Sequence, residues 1–215
     1  VNTLFDDNSK YRHEEVEGVK GWWWPKADDG AWEGPLQDWY ALKSAFDLVK
    51  EKKVVVQAGG NCGLYPRLLS DIFERVYTFE PDSFNFHFLV KNCQKENIIK
   101  INAALGDVNK LVDSVRAKGD FGNSNCGALT INDNNKLVPV FTIDQLSLDR
   151  CDYIQLDCEG YEANVIVGAM ETIFQFKPVI TLETMTPEIE QLLFPLGYSE
   201  VAGSFGHIDR CFAVV

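Results

Sequence analysis

Three carboxylates stand within six residues in Asp157–Cys158–Glu159–Gly160–Tyr161–Glu162. Acids this close repel one another, so such a cluster sits where something cationic or proton-donating compensates it. Asp157 and Glu159 are the candidate catalytic residues: one to face a cationic ligand, the other to take a proton or position a substrate. Helix N-capping is the competing reading for Glu162. A further acid, Glu80, follows the strand-forming run Val76–Tyr77–Thr78–Phe79. An acid at the end of a second strand can accept hydrogen bonds from both hydroxyls of a ribose. Glu80 lies 17 residues beyond Gly63, which closes the turn Gln57–Ala58–Gly59–Gly60–Asn61–Cys62–Gly63. Glycines there let the backbone approach a ligand closely.

The elements that must hold these residues are legible around them. Val54–Val55–Val56 suits a strand buried on both faces of a parallel sheet. Leu64, Leu68, Leu69, Ile72 and Phe73 recur at helical spacing after the turn, with Pro66 in the first helical turn. Strand, glycine turn and helix open a nucleotide-binding α/β sheet. The spacing then selects the ligand class. A dinucleotide turn needs G-x-G-x-x-G, but Asn61 and Leu64 stand where its second and third glycines belong. A Gly-Lys-Ser/Thr ending is also missing. Gly59-x-Asn61-x-Gly63 instead resembles the S-adenosyl-L-methionine turn of class I methyltransferases, which abuts a methionine tail and needs no anion cradle. An NAD-dependent oxidoreductase is the alternative that this spacing disfavours.

The rest of the chain supplies further strands and helices. Residues 1–20 are polar without a steady period and read as an arm that is loosely held or docked late. Trp22–Trp23–Trp24, Trp32 and Trp39 follow, either covering a sheet edge or walling the substrate cleft. A helix is expected from about Gln37 to Glu51. Residues 1–50 thus form a Trp-rich arm and helix, and 51–215 the ligand-binding domain. Pro81–Asp82–Ser83 signals a turn and an N-cap before a helix over 84–97. Asp107 falls just past a third strand, over 99–104, where it could meet an adenine amino group or cap a following helix. Residues 119–136 open as a long loop, and 128–131 with 136–141 read as a hairpin. Ile154–Leu156 and Val179–Leu182 are buried strands, and a single helix is expected through Val165, Ile166, Ala169, Met170 and Ile173. Tyr198–Ala202 and Cys211–Val215 have no helix between them, which predicts an antiparallel finish to the sheet.

The chain has 215 residues, enough for one α/β domain with a sizeable core. Its formal net charge of −12 comes from 20 basic and 32 acidic side chains. Phosphate backbones and anionic membranes repel such a surface, so nucleic acid and membrane are not expected partners. Six cysteines without a C-x-x-C and three scattered histidines argue against a zinc centre and suit a reducing, cytoplasmic setting.

Several motifs together resemble the FkbM family of class I methyltransferases over roughly Val54 to Tyr198. The turn 57–63 is similar to D-V-G-A-N-x-G, and Phe79–Glu80–Pro81 to F-E-P. Leu89, Asn92 and Asn97 match an L-x-x-N-x-x-x-x-N helix, and Asn102–Gly106 matches n-x-A-L-G. Thr142–Leu146 is similar to T-L-D-x-L, and Asp157–Glu162 to D-x-E-G-x-E. The resemblance implies a Rossmann-like sheet of seven strands in the order 3-2-1-4-5-7-6, mostly parallel with an antiparallel C-terminal hairpin strand. It also implies S-adenosyl-L-methionine as cofactor and methyl transfer to an oxygen of a small molecule or saccharide. The residues expected at the cofactor are Gln57, Gly59, Gly60, Asn61, Gly63, Glu80, Pro81 and Asp107. Gln57 departs from the family's acid, which would weaken attraction to the methionine ammonium. A fold that binds the cofactor without turnover is therefore a second alternative. Some O-methyltransferases of similar fold hold a divalent ion at these strand ends, which Asp157, Glu159 or Glu183 could do here, but no metal is predicted.

Overall fold

The computed structural model describes residues 11–16, 19–25, 39, 42–116, 126, 129–132, 138–201 and 210–214. Strands β1 (Tyr11–Val16) and β2 (Val19–Pro25) pair antiparallel, Tyr11 opposite Pro25 and Glu14 opposite Trp22. Residues 11–16 are therefore a paired strand, not a loose arm: the partner carries the tryptophans and supplies the hydrogen bonds that a polar sequence alone does not predict. Trp32 and most of the expected loop over 119–136 lie outside the described residues. Residues 42–46 are helical, and the expected face of Trp39, Leu42, Phe46 and Val49 is buried.

The main sheet is assembled from β3 (Val54–Ala58), β4 (Arg75–Phe79), β5 (Ile98–Ile101), β10 (Tyr153–Leu156), β11 (Val179–Leu182), β12 (Tyr198–Glu200) and β13 (Arg210–Val214). Its order is β12-β13-β11-β10-β3-β4-β5. The five strands from β11 to β5 run parallel, and β13 joins antiparallel to both β11 and β12. This is the expected order 3-2-1-4-5-7-6. Every residue of β3, β10 and β11 is buried, as expected for parallel strands covered on both faces. Val56, Ala58, Ile154 and Leu156 face one core with Ile166 and Ile180. Val55, Tyr153 and Val179 face the other, with Leu42, Phe46 and Leu69.

Helix α1 (Leu64–Leu69) follows β3 and α2 (Ser83–Asn92) follows β4. Asp82 caps α2, its side chain accepting from the Asn85 N–H at 2.8 Å. The helix ends at Asn92 rather than 97, and Asn97 instead donates to the Ser70 and Phe73 carbonyls. The expected single helix past Tyr161 is two, α3 (Glu162–Val167) and α4 (Met170–Phe176). The break has two causes. A Cβ on Gly168 would lie 1.9 Å from the Gly106 carbonyl oxygen, so backbone packs on backbone there. Asp144 then caps α4 from outside, accepting from the Glu171 and Thr172 N–H groups at 3.0 and 2.8 Å. Helix α5 (Pro187–Leu193) opens at the N-cap Thr186, with Pro187 in its first turn.

A second, smaller sheet corrects two expectations. Its strands are β6 (Ala104–Leu105), β7 (Lys110–Arg116), β8 (Leu129–Asn132) and β9 (Val138–Phe141), in the order β6-β9-β7-β8. Asp107 leads into a strand, not a helix. β8 and β9 do not form a hairpin with each other, because β7 lies between them and pairs antiparallel with both. The alternation of exposed Leu111 with buried Val112 is the strand signal in β7.

Candidate active site

All the carboxylates expected to do chemistry lie along one rim, the C-terminal ends of the parallel strands, where open α/β sheets bind ligands. Beyond β3, the N–H groups of Gly59 and Gly60 donate to the Phe79 carbonyl at 3.1 and 2.9 Å, and the chain turns back over β4. Gly59 has φ +81°, and a Cβ there would meet the Asp157 carbonyl oxygen at 1.8 Å. Only glycine fits, which fixes the first turn directly against the end of β10. Asn61 follows at φ 44° and Gly63 at φ 96°.

Glu80 is 3 % exposed. One carboxylate oxygen accepts from the Asn61 N–H at 2.7 Å and the other from the Asp82 N–H at 2.8 Å. It thereby ties the glycine turn to the start of α2. The two oxygens are acceptors of the kind that a ribose diol requires. Pro81 lies between Glu80 and Asp82, and Asn102 donates to the Glu80 and Pro81 carbonyls.

Gln57 lies beneath the turn, fully buried. Its Nε2 donates to the Ala58 carbonyl at 2.9 Å and its Oε1 accepts from the Thr78 hydroxyl. Both ends of the carboxamide are therefore engaged inside the sheet. Asp107, in the bend between β6 and β7, lies 3.7 Å from the Lys110 ammonium, which in turn sits over the Tyr161 ring.

Asp157, Glu159 and Glu183 converge from the ends of β10 and β11, with one oxygen from each lying within 4.8 Å of the others. Glu183 was named from the sequence only as a metal candidate; parallel pairing of β10 and β11 brings it to the cluster, a contact with no local sequence signal. Its Oε2 is buried and accepts no hydrogen bond from the described residues. The spacing would admit a divalent cation, and equally a hydroxyl group with its proton. Glu162 is buried and shapes the loop, its Oε1 accepting from the Cys158 N–H at 2.9 Å and the Gly160 N–H at 3.4 Å. Within that loop Glu159 has φ 52° and Gly160 φ 90°. Glu159 is exposed at the rim; desolvation by the surrounding chain, then repulsion from Glu183 and Glu162, pushes its carboxyl up to about 7. Burial likewise raises Glu162. The nearby Cys158 thiol is held well above its ordinary value by burial and by Glu162 and Asp157, so it is no thiolate nucleophile at neutral pH.

These residues fit S-adenosyl-L-methionine. Glu80 offers a buried acceptor pair for a ribose, and the rim offers carboxylates to a sulfonium and an ammonium. The fold is that of the class I methyltransferases. The family model for the methyltransferase FkbM domain matches residues 59–211, and the chain belongs to that family. Solved structures are similar at low identity. Methyltransferase FkbM from Methylobacillus flagellatus is 19 % identical with a TM-score of 0.48, over 75 % of this chain and 43 % of its own. This chain thus spans less than half the length of that relative. TYW2 from M. jannaschii, solved in complex with AdoMet, is 14 % identical with a TM-score of 0.50, over 96 % of this chain and 87 % of its own. No curated protein matches the sequence. Among the described residues no helix is long and apolar enough to cross a membrane.

Proposed function

We propose that this chain methylates a hydroxyl oxygen of a small molecule or saccharide, with Glu159 as the general base. The observation that carries the reading is the Asp157–Glu159–Glu183 cluster at the rim, with the Glu159 carboxyl raised to about 7. A base with its pKa near the working pH combines a usable deprotonated fraction with a real affinity for the proton. S-adenosyl-L-methionine supplies, when bound, a methyl group already activated by its sulfonium.

The protein's own task is alignment and proton removal. Glu80 holds the ribose through its carboxylate oxygens, and the Gly59–Gly63 turn lies along the methionine portion. Pro81 borders the ribose site, and Asp107 is assigned to the adenine end. Asp157 faces the sulfonium end. Glu159 accepts the hydroxyl proton, and Glu183 orients the acceptor through its unpartnered oxygen. Gln57 acts from below, by holding the start of the turn. The acidic rim and the net charge of −12 favour a neutral, hydroxyl-rich acceptor over a polyanion. The test is incubation with methyl-labelled S-adenosylmethionine and, separately, a panel of mono- and oligosaccharides, hydroxylated small molecules and total RNA. Label in a saccharide or small-molecule fraction supports the reading. Label confined to RNA contradicts it.

A further inference from the structure

The N-terminal hairpin of β1 and β2 precedes the region matched by the family model, yet it is bonded to the glycine turn through one side chain. Asn92, the last residue of α2, is 4 % exposed. Its Oδ1 accepts from the Trp23 N–H and its Nδ2 donates to the Trp23 carbonyl, both at 2.8 Å. A carboxamide that meets an N–H and a C=O of one residue reproduces the bonding of a neighbouring strand. The same Nδ2 donates to the Cys62 carbonyl at 2.6 Å. Hairpin, helix and turn thus share one amide group.

The turn has no slack against this helix. A Cβ on Gly60 would lie 2.5 Å from Leu89 Cδ1, and one on Gly63 3.2 Å from Leu89 Cα and 3.4 Å from Asn92 Cβ. The Cys93 thiol lies 3.3 Å from the Gly63 carbonyl. From the hairpin side, Trp24 packs with Cys62 of the turn and with Phe88 of α2. Arg67 of α1 sits 4.5 Å over the Trp22 ring and Lys91 of α2 4.3 Å over the Trp23 ring. A shift of the hairpin must therefore move Asn92, Cys62, or both.

We propose that Asn92 is a positioning residue that couples the tryptophan hairpin to the cofactor turn, so that the docked hairpin sets the affinity for S-adenosylmethionine. The proposal rests on the cofactor reading given above. Linkage makes it reciprocal: if the docked hairpin favours the ligand, the ligand must favour the docked hairpin.

The test measures S-adenosylhomocysteine binding and exchange of the Trp23 backbone amide, in the wild type and in Asn92→Asp. Aspartate keeps the acceptor for Trp23 N–H but presents oxygen where the Trp23 and Cys62 carbonyls need a donor. In the wild type, saturating S-adenosylhomocysteine should slow Trp23 exchange about tenfold more than it slows amides of β13, a coupling of about 1.4 kcal/mol. Asn92→Asp should remove that excess and weaken binding by about tenfold. Ligand binding to the wild type without excess protection of Trp23 overturns the proposal, as does a folded Asn92→Asp that binds as tightly as the wild type. If Asn92→Asp does not fold, the wild-type exchange comparison decides alone. Absence of binding to the wild type overturns the coupling and the cofactor reading together.

Discussion

Gln57 stands where the family has an acid, and its surroundings explain how an amide serves there. The side chain is fully buried and both ends are bonded, to Ala58 and to Thr78. Gln57→Glu would lose the donor to Ala58 and leave a carboxylate facing that carbonyl. It should destabilise the fold by about 1–3 kcal/mol, read as a lower urea midpoint at unchanged m-value. Glu159 is the second residue with a sharp expectation. Its pKa is about 7 in the folded protein against an ordinary 4.5, so the folded state holds its proton more tightly than the unfolded state. The stability this provides is present below pH 4.5 and is lost as pH rises through about 7. The melting temperature of the ligand-free protein should accordingly fall across that window, and Glu159→Gln should flatten the fall. With an acceptor in hand, turnover should rise with pH through the same window. Glu159→Gln should lower turnover by roughly 10²–10⁴-fold while S-adenosylhomocysteine still binds.

Among the elements, the break between α3 and α4 shows what spacing alone misses. Val165, Ile166, Ala169, Met170 and Ile173 fit one continuous apolar stripe. The interruption is set by Gly106, which lies against Gly168, and by Asp144, which caps α4 from a distant turn. Asp144→Ala should cost about 0.5–2 kcal/mol in chemical denaturation and leave ligand binding unchanged, because its carboxylate bonds Glu171 and Thr172 of α4 rather than the glycine turn. β7 was missed for a related reason. Lys110–Arg116 mixes charged and apolar residues without a clear strand pattern, and it becomes an inner strand by pairing with β9 on one side and β8 on the other. By contrast, the strands of the main sheet carry their own signal. The valines of β3 and the apolar runs of β10 and β11 are buried from end to end, and such runs read plainly from sequence.

Over the whole molecule, the rim is legible from short local patterns, a valine run, a glycine turn and acids at strand ends, and the strand order is what the resemblance to the FkbM family implies. What sequence could not give was contact between distant segments. Asn92 could be matched to a family motif, but its bonds to Trp23 and Cys62 depend on a hairpin about seventy residues away. The arrival of Glu183 beside Asp157 and Glu159 likewise depends on which strands lie adjacent. The central claim is that this rim holds S-adenosylmethionine, and its most direct test is a thermal-shift titration with S-adenosylhomocysteine, with NAD as control. At about 100 times its dissociation constant the ligand should stabilise the fold by about 2.7 kcal/mol. A rise in melting temperature with S-adenosylhomocysteine, none with NAD, and loss of the rise in Glu80→Ala are the predicted results. A chain that folds but shows no shift with S-adenosylhomocysteine, or the same shift with NAD, would contradict the account.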